Sequence, residues 1–146
     1  MIITNMRQNH VAQVAELEKL CFSDPWSENS VASELENPLA LWLVADDDGK
    51  VVGYIGSQTV MDASDMMNVA VHPDYRKQGI ATTLIVGLVE ELRRNGSRSL
   101  TLEVRASNEN AIRLYRMLDF QEIGCRKNYY RNPREDALIL RKEWDI

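Results

Sequence analysis

Residues 66–105 read MMNVAVHPDYRKQGIATTLIVGLVEELRRNGSRSLTLEVR, and this stretch decides the fold. The apolar run 66–71 predicts a strand. Residues 80–94 carry apolar side chains at three- and four-residue steps and stop at Asn95-Gly96, which predicts a helix. The alternating residues 99–105 predict a second strand. Such a strand–helix–strand crossover makes the two strands parallel, with a right-handed connection.

The segments on both sides of this crossover supply the rest of the fold. Strands are expected at 1–5, 39–45, 50–58, 121–130 and 136–141, and helices at 9–21, 27–36 and 108–118. The sequence therefore predicts an α/β protein of mixed α+β character. Its mixed, twisted sheet has about seven strands and is flanked by about four helices. Because no repeat or linker divides the chain, we expect residues 1–146 to form a single domain.

The composition argues against several classes of function. With 17 basic and 22 acidic residues and a net charge of -5, the chain lacks the basic footprint of a nucleic-acid-binding protein. No apolar run approaches the ~20 residues of a membrane span, and the N-terminus lacks a secretory signal, so we expect a cytoplasmic protein without a membrane partner. Cys21 and Cys125 have no metal-type spacing, so we expect free thiols and no metal. The acidic charge favours a basic partner.

The loop between the predicted strand and helix suits a diphosphate. Gly79 stands at the helix N-terminus, where main-chain N–H groups lack partners and the helix dipole is positive. Gly79 has no side chain to hold phosphates away, and Arg76 and Lys77 supply positive charge. The loop is neither a Walker loop nor the three-glycine dinucleotide motif. From spacing alone, an exposed turn with two solvated charges is the alternative.

A carboxylate, an amide and a phenol follow on the next two elements. Strand alternation puts Thr101, Glu103 and Arg105 on one face. A strand within a crossover is expected to be covered on both faces, so an acid there needs a cleft or a partner. Asn108 and Tyr115 lie about two turns apart on the predicted helix. The alternatives are an ion pair for Glu103, a helix cap for Asn108 and a core position for Tyr115.

The pattern Arg-x-x-Gly-x-Ala at 76–81, after the strand residues 68–73, resembles the acetyl-coenzyme A signature of the GNAT superfamily of acetyltransferases. The block 102–115 is similar to a narrower group, the bacterial ribosomal-protein alanine N-acetyltransferases (RimI type). Pro25-Trp26-Ser27 and Asn128-Tyr129-Tyr130 carry the same similarity, and the motifs keep their order over nearly the whole chain. Two departures are that Ala81 replaces a common glycine and that residues 35–66 match weakly.

This resemblance implies acetyl-CoA as co-substrate, with its pyrophosphate on the loop and its pantetheine arm along the preceding strand. By the same similarity Glu103 matches the general base and Tyr115 the general acid. It also implies that the acceptor is the N-terminal alanine of a small-subunit ribosomal protein. The implied coenzyme-binding residues are Val69, Ala70, Val71, Arg76, Lys77, Gln78, Gly79, Ile80, Ala81, Thr82 and Asn108.

An α-amine is the acceptor that this chemistry favours. Its pKa is about 7.7–8.0 against about 10.4 for lysine, so a carboxylate is a sufficient base for it. Trp26, Tyr129, Tyr130 and Arg131 are the candidates for an aromatic acceptor groove. The alternatives are that Trp26 packs under the second helix and that one of the tyrosines belongs to the core.

Two other functions remain open from the sequence. The first is an acetyltransferase of the same fold that acts on a small amine or on a lysine side chain. The second is a non-catalytic module that binds coenzyme A. The presence of both Glu103 and Tyr115 counts against the second, because a binding module needs no acid–base pair.

Overall fold

The computed structural model describes residues 1–145, and within them the chain forms seven strands and four α-helices. In chain order these are β1 (Ile2–Asn5), α1 (Val11–Cys21), α2 (Glu28–Ser33), β2 (Ala40–Asp47), β3 (Lys50–Val60), β4 (Ala63–Val71), α3 (Ile80–Arg94), β5 (Ser99–Arg105), α4 (Glu109–Met117), β6 (Gln121–Tyr130) and β7 (Glu135–Glu143). Short 3₁₀ turns lie at Gln8–His10, Glu34–Glu36 and Pro73–Tyr75. No helix among these residues is long and apolar enough to cross a bilayer.

The strands form one sheet in the order β1-β2-β3-β4-β5-β7-β6. The β4–β5 pair is parallel and is connected through α3, as the sequence predicts, whereas the other described pairs are antiparallel. The predicted α/β class with a mixed sheet is confirmed. The Ser27 side chain accepts a hydrogen bond from Ser30 N and so caps α2, near the predicted start of this helix.

One hairpin turn was not predicted. β3 continues to Val60 and β4 begins at Ala63, three residues before the predicted start of that strand. The turn residues Met61 and Asp62 carry no glycine or proline, and Met61 takes a φ of 59°. By contrast, the β2–β3 turn has positive φ at Asp48 and Gly49, the common chemistry of a two-residue hairpin.

Helices cover the two faces of the sheet unequally. α3 packs against β2, β3 and β4 on one face, and the alternate β5 residues Leu100, Leu102 and Val104 belong to its core. α1 packs on β3 and β4 on the opposite face. The expectation that β5 is covered on both faces is wrong, because Thr101, Glu103 and Arg105 remain partly exposed on its second face, the open face. The edge strand β6 is also mostly exposed.

The strands β4 and β5 separate along their length. Their pairing runs only from Ala63 opposite Ser99 to Asp65 opposite Thr101. β4 gains one extra residue relative to β3 at this point, a bulge that increases bending and twist. The rest of β4, including residues 69–71, pairs with β3 but has no described pairing with β5. Main-chain groups of β4 therefore line a gap between the two parallel strands.

Candidate active site

The loop before α3 has the shape of an anion site. Lys77 and Gly79 both have positive φ, 63° and 77°, a turn conformation typical of loops whose main-chain N–H groups bind anions. Arg76 is exposed, and its Nε donates to the carbonyl of Val71 at 3.2 Å, which ties the loop to the end of β4. Gln78 is exposed between them. The loop thus presents two cationic side chains beside a helix N-terminus.

Gly79 owes its place to backbone conformation. A Cβ built on Gly79 would meet no heavy atom of residues 1–145 within 4 Å, so space among these atoms does not require glycine there. The φ of 77° lies in the left-handed region, which other residues adopt at a cost. This conformational reason stands beside the expected one, that a side chain would hold phosphates away.

The first turn of α3 leaves its N–H groups available to a ligand. The N–H groups of Ile80, Ala81 and Thr82 have no helical partner, and no side chain within residues 1–145 caps this N-terminus. The Ile80 side chain is buried in the core, so only its main chain can serve a ligand. The positive end of the 15-residue helix dipole adds to the attraction for an anion.

Asn108 is the N-cap of α4, and its Oδ1 accepts a hydrogen bond from Ala111 N at 3.2 Å. This is the capping role that was the alternative for this residue. Asn108 is also exposed, so its amide group remains accessible to a ligand. The coenzyme-binding role implied for Asn108 stays a prediction.

Tyr115 is buried in α4, with 6% of its surface exposed. Its ring packs edge-on against Phe120 at 5.5 Å, and its hydroxyl points to the Met66 sulfur at 3.9 Å. Met66 lies where β4 leaves β5, so the phenol is at the inner end of the gap. Burial, followed by the nearby Tyr130 phenol, raises the pKa of Tyr115 above its usual range. The group therefore keeps its proton at neutral pH.

Glu103 lies on the open face of β5 and forms the ion pair that was its alternative role. Its Oε1 is 3.5 Å from Nε of Arg126, whose side chain is 56% exposed. Its Oε2 is buried and has no hydrogen-bond partner within residues 1–145. A buried carboxylate oxygen without a donor is costly, so this atom has an unmet capacity to accept a hydrogen bond.

Two tyrosines of β6 stand beside Glu103. The pKa of Tyr129 is raised, and the largest cause is the interaction of the Tyr129 hydroxyl with the Glu103 carboxylate. Burial is the next largest cause. No donor within residues 1–145 bonds the buried Oε2, so the Tyr129 hydroxyl does not hydrogen-bond that oxygen. Burial, and then the Glu103 charge, raise the pKa of Tyr130 to about 12. The structure therefore brings Glu103, Tyr115, Tyr129 and Tyr130 into one electrostatic cluster.

Arg105 organises the loop after β6. Its guanidinium donates to the carbonyls of Arg131 and Pro133, each at 2.9 Å, and pairs with Glu135 at 3.3 Å. It also lies over the Tyr130 ring, 4.5 Å from the centroid. Arg131 thus contributes its main chain to the loop, while its exposed side chain remains accessible.

Trp26 lies in the segment between α1 and α2, on the side of the open face opposite the β6 residues. Its ring packs at 63° against Trp42 with centroids 5.4 Å apart. The indole is partly buried against the core between α1 and the sheet. Asn132 Nδ2 reaches Asp24 Oδ2 at 3.5 Å, so this segment contacts the loop after β6. Trp26 and the β6 residues therefore flank the same face.

Sequence reasoning missed Glu18, a fully buried carboxylate in α1. Trp26 N donates to its Oε1 at 2.9 Å, and Asn68 Nδ2 donates to its Oε2 at 2.6 Å. The available signal was its position in the helical period, four residues after Val14 on the buried stripe of α1. An ion pair of Glu103 was expected as an alternative, but its partner Arg126 was not identified, because the sequence did not show which residues of β6 lie near β5.

Two ligand regions follow from this geometry. The loop 76–82 and the β4 main chain offer an anion site and a hydrogen-bonding edge, and Glu103 with the aromatic residues lies on the open face. No cluster of three metal-binding side chains occurs within residues 1–145. Cys21 is half-buried and Cys125 exposed, both as free thiols. Burial raises the pKa of Cys21, which suppresses the reactive thiolate.

The acetyltransferase (GNAT) family model matches residues 11–120. The [ribosomal protein bS18]-alanine N-acetyltransferase of Escherichia coli strain K12 is 36% identical over 140 residues, 94% of each chain. A Bacillus subtilis relative, whose name gives the same activity provisionally, is 42% identical over 139 residues, 94% of this chain and 92% of its own.

A solved structure of the ribosomal-protein-S18-alanine N-acetyltransferase from Escherichia coli superposes with a TM-score of 0.92 at 35% identity, covering 99% of this chain and 94% of that one. Arabidopsis thaliana NAA60, solved in complex with acetyl-CoA, shares the fold at 16% identity, with a TM-score of 0.87 and 97% of each chain covered. The chain therefore belongs to the GNAT family of acetyltransferases. It is an acetyl-CoA-dependent N-acetyltransferase.

Proposed function

We propose that this enzyme transfers the acetyl group of acetyl-CoA to the α-amine of an N-terminal alanine, on a basic small-subunit ribosomal protein. The observation that carries the proposal is the buried, unpartnered Oε2 of Glu103 at the open face beside the β4–β5 gap. The name of the Escherichia coli relative supports this acceptor, because the similarity covers nearly all of both chains.

The coenzyme side is assigned from charge and main-chain geometry. The residues present fit a diphosphate, because positive φ at Lys77 and Gly79 and the uncapped α3 N-terminus direct N–H groups to one place. Arg76 and Lys77 would balance its charge. The main chain of Val69, Ala70 and Val71 would hydrogen-bond the pantetheine arm in the gap. Asn108 is proposed to contact the coenzyme from the α4 N-terminus.

The transfer step uses an acid and a base at either side of the gap. Glu103 accepts a proton from the attacking amine, directly or through a water, as the nitrogen bonds to the acetyl carbonyl carbon. A β4 main-chain N–H from residues 69–71 stabilises the oxyanion. As the carbon–sulfur bond breaks, Tyr115 gives its proton to the departing thiolate. No protein nucleophile and no metal is assigned to any step, and holding the two substrates together supplies much of the acceleration.

The acceptor side is assigned from position and charge. Trp26, Tyr129, Tyr130 and Arg131 flank the face that carries Glu103, and they would hold an extended N-terminal segment. The net charge of -5 favours a basic segment. Such a substrate places the reaction in the cytoplasm, where ribosomal proteins are made.

A matched peptide panel tests the acceptor. A basic peptide that begins with alanine is compared with the same peptide carrying a blocked α-amine and an internal lysine, and with a small diamine. Thiol release and the mass of the product are measured. We expect acetylation of the alanine α-amine alone, because its lower pKa leaves more of the neutral nucleophile. Equal rates on the blocked peptide or on the diamine would replace this acceptor with a lysine or a small amine.

A further inference from the structure

Glu18 is a buried carboxylate that the acetyl transfer does not use. It has no exposed surface and lies in the core between α1 and the sheet. Its Oε1 accepts the Trp26 N–H at 2.9 Å. Its Oε2 accepts Asn68 Nδ2 at 2.6 Å and the Tyr54 hydroxyl. Burying a charged carboxylate costs free energy unless hydrogen bonds offset the loss of water. Three donors from three separate segments meet at Glu18, which indicates that the carboxylate fixes these segments relative to one another.

The partners of Glu18 lie on both sides of the transfer site. Trp26 belongs to the segment proposed to hold the acceptor. Asn68 lies in β4 at the bulge, where Met66 pairs with Ser57 and Asn68 pairs with Gly56. The next residue along β4 begins the stretch assigned to the pantetheine arm. One carboxylate therefore joins the acceptor segment to the strand on which the thioester would lie.

The aromatic rings beside Glu18 reinforce the same connection. Trp42 packs against Trp26 and is stacked on Tyr54, with the latter centroids 5.9 Å apart at 14°. Trp42 lies directly over Gly56, where an added Cβ would come within 2.4 Å of its ring. Trp42 thus lies between the ring of Trp26 and the ring of Tyr54, whose hydroxyl donates to Glu18. Both the main chain and the side chain of Trp26 are held by this cluster.

Glutamine cannot replace Glu18 in this arrangement. Each carboxylate oxygen faces at least one donor, and glutamine offers one acceptor oxygen and one NH₂ group. Its NH₂ would face either the Trp26 N–H or the donors of Asn68 and Tyr54. The substitution nearly conserves volume, so it changes the hydrogen bonding without opening a cavity.

We propose that Glu18 is a positioning residue that aligns the acceptor-binding segment at Trp26 with β4 at Asn68. This inference rests on the proposed function, because it assumes that Trp26 contacts the acceptor and that β4 carries the thioester. The coenzyme loop around Gly79 makes no contact with Glu18 in the described contacts. Loss of Glu18 should therefore affect the acceptor and the transfer step far more than coenzyme affinity, because the diphosphate contacts lie at that loop.

The test measures steady-state kinetics of Glu18→Gln with the alanine-starting peptide, with acetyl-CoA affinity measured directly by calorimetry. We expect the acceptor KM to rise by roughly tenfold and kcat to fall by a similar factor, because hydrogen bonds to a charged group are lost. Acetyl-CoA affinity should stay within about twofold of wild type. The effect of Trp26→Ala should shrink in the Glu18→Gln background, since both changes act on one segment.

The matched control is His10→Gln. His10 is also buried and polar and precedes α1 directly, and its Nδ1 accepts Arg7 N at 2.9 Å, away from the site. It should lower Tm without changing either KM. If Glu18→Gln fails to fold, Asn68→Ala and Tyr54→Phe each remove one donor, and a raised acceptor KM in Asn68→Ala supports the role.

Two outcomes would overturn the inference, and they distinguish its failure from a failure of the proposed function. In the first, the wild-type enzyme turns over the peptide, and Glu18→Gln has a lower Tm but unchanged acceptor KM and kcat. This result would make Glu18 a purely structural residue. A wild-type enzyme that acetylates no amine would overturn the proposed function and this role together.

Discussion

The guanidinium of Arg105 donates to the main-chain carbonyl of Arg131 at 2.9 Å, although the two residues are 26 positions apart in the chain. A second nitrogen of the same group donates to Pro133 at the same distance. The planar fork of arginine can bind two carbonyls and stack on the Tyr130 ring at once, whereas a lysine ammonium cannot. Arg105 therefore sets the position of the loop that follows β6.

Replacing Arg105 by lysine should loosen this loop while keeping its charge. We expect the acceptor KM to rise roughly tenfold, because hydrogen bonds from a charged group are lost. Acetyl-CoA affinity should not change, since the loop lies on the acceptor side. Steady-state kinetics and calorimetry measure both effects. Arg116→Lys is the control, because its ion pair with Glu122 is mostly exposed. An unchanged acceptor KM in Arg105→Lys would remove this loop from the acceptor site.

Tyr115→Phe should lower kcat by about 10²-fold, the lower end of the contribution of a positioned acid. Acetyl-CoA affinity should be retained, because the phenol lies at the inner end of the gap and its ring still packs on Phe120. Single-turnover rates and coenzyme titration measure the two quantities. Wild-type rates in this variant would make Tyr115 a core residue only.

The pH dependence of kcat provides a second test of Tyr115. Burial raises the pKa of this phenol, so the acid stays protonated above its unperturbed value of about 10. Because activity requires the protonated phenol, kcat is lost only as the pH rises through the raised pKa of Tyr115. We expect kcat to stay level up to pH of about 10, provided that the protein remains folded. A fall centred near pH 8 would assign the acid to another group.

Gly79→Ala tests the conformation of the coenzyme loop. Alanine at a φ of 77° is strained by about 1–2 kcal/mol, although its Cβ would meet no described heavy atom of residues 1–145 within 4 Å. We expect acetyl-CoA affinity to fall by roughly tenfold, as the strain is relieved by turning N–H groups away. Calorimetric titration measures this affinity.

Gly96→Ala is the matched control for this variant. Gly96 follows α3, has a φ of 92° and also has open space at its Cβ position. It should lower Tm by a similar amount to Gly79→Ala and leave coenzyme affinity at the wild-type value. Equal coenzyme affinities in the two variants would contradict the assignment of the loop.

Patterns within short stretches of sequence predicted most of the fold. The crossover 66–105 carries a local signal in each element, as do the Ser27 cap and the Asp48-Gly49 turn. Glu103 could be placed on one face of β5 because strand side chains alternate. These features depend on neighbours within a few residues, which is the range over which sequence periodicity is informative.

Features that depend on distant neighbours could not be predicted. The separation of β4 from β5 follows a bulge against β3, and the turn at Met61-Asp62 has no glycine or proline to mark it. Glu18 was visible as a charge on an apolar stripe, but its partner Asn68 is 50 residues away. Such pairings arise from tertiary packing and leave no short-range pattern.

The transfer mechanism depends most directly on Glu103 as the base. The decisive measurement is the single-turnover rate of Glu103→Gln on a basic peptide that begins with alanine, together with its acetyl-CoA affinity. A positioned base contributes about 10²–10⁴-fold, so we expect the rate to fall by at least about 10²-fold while the affinity stays at the wild-type value. A rate close to wild type, or a rate loss matched by lost coenzyme affinity, would contradict the role of Glu103 as the base.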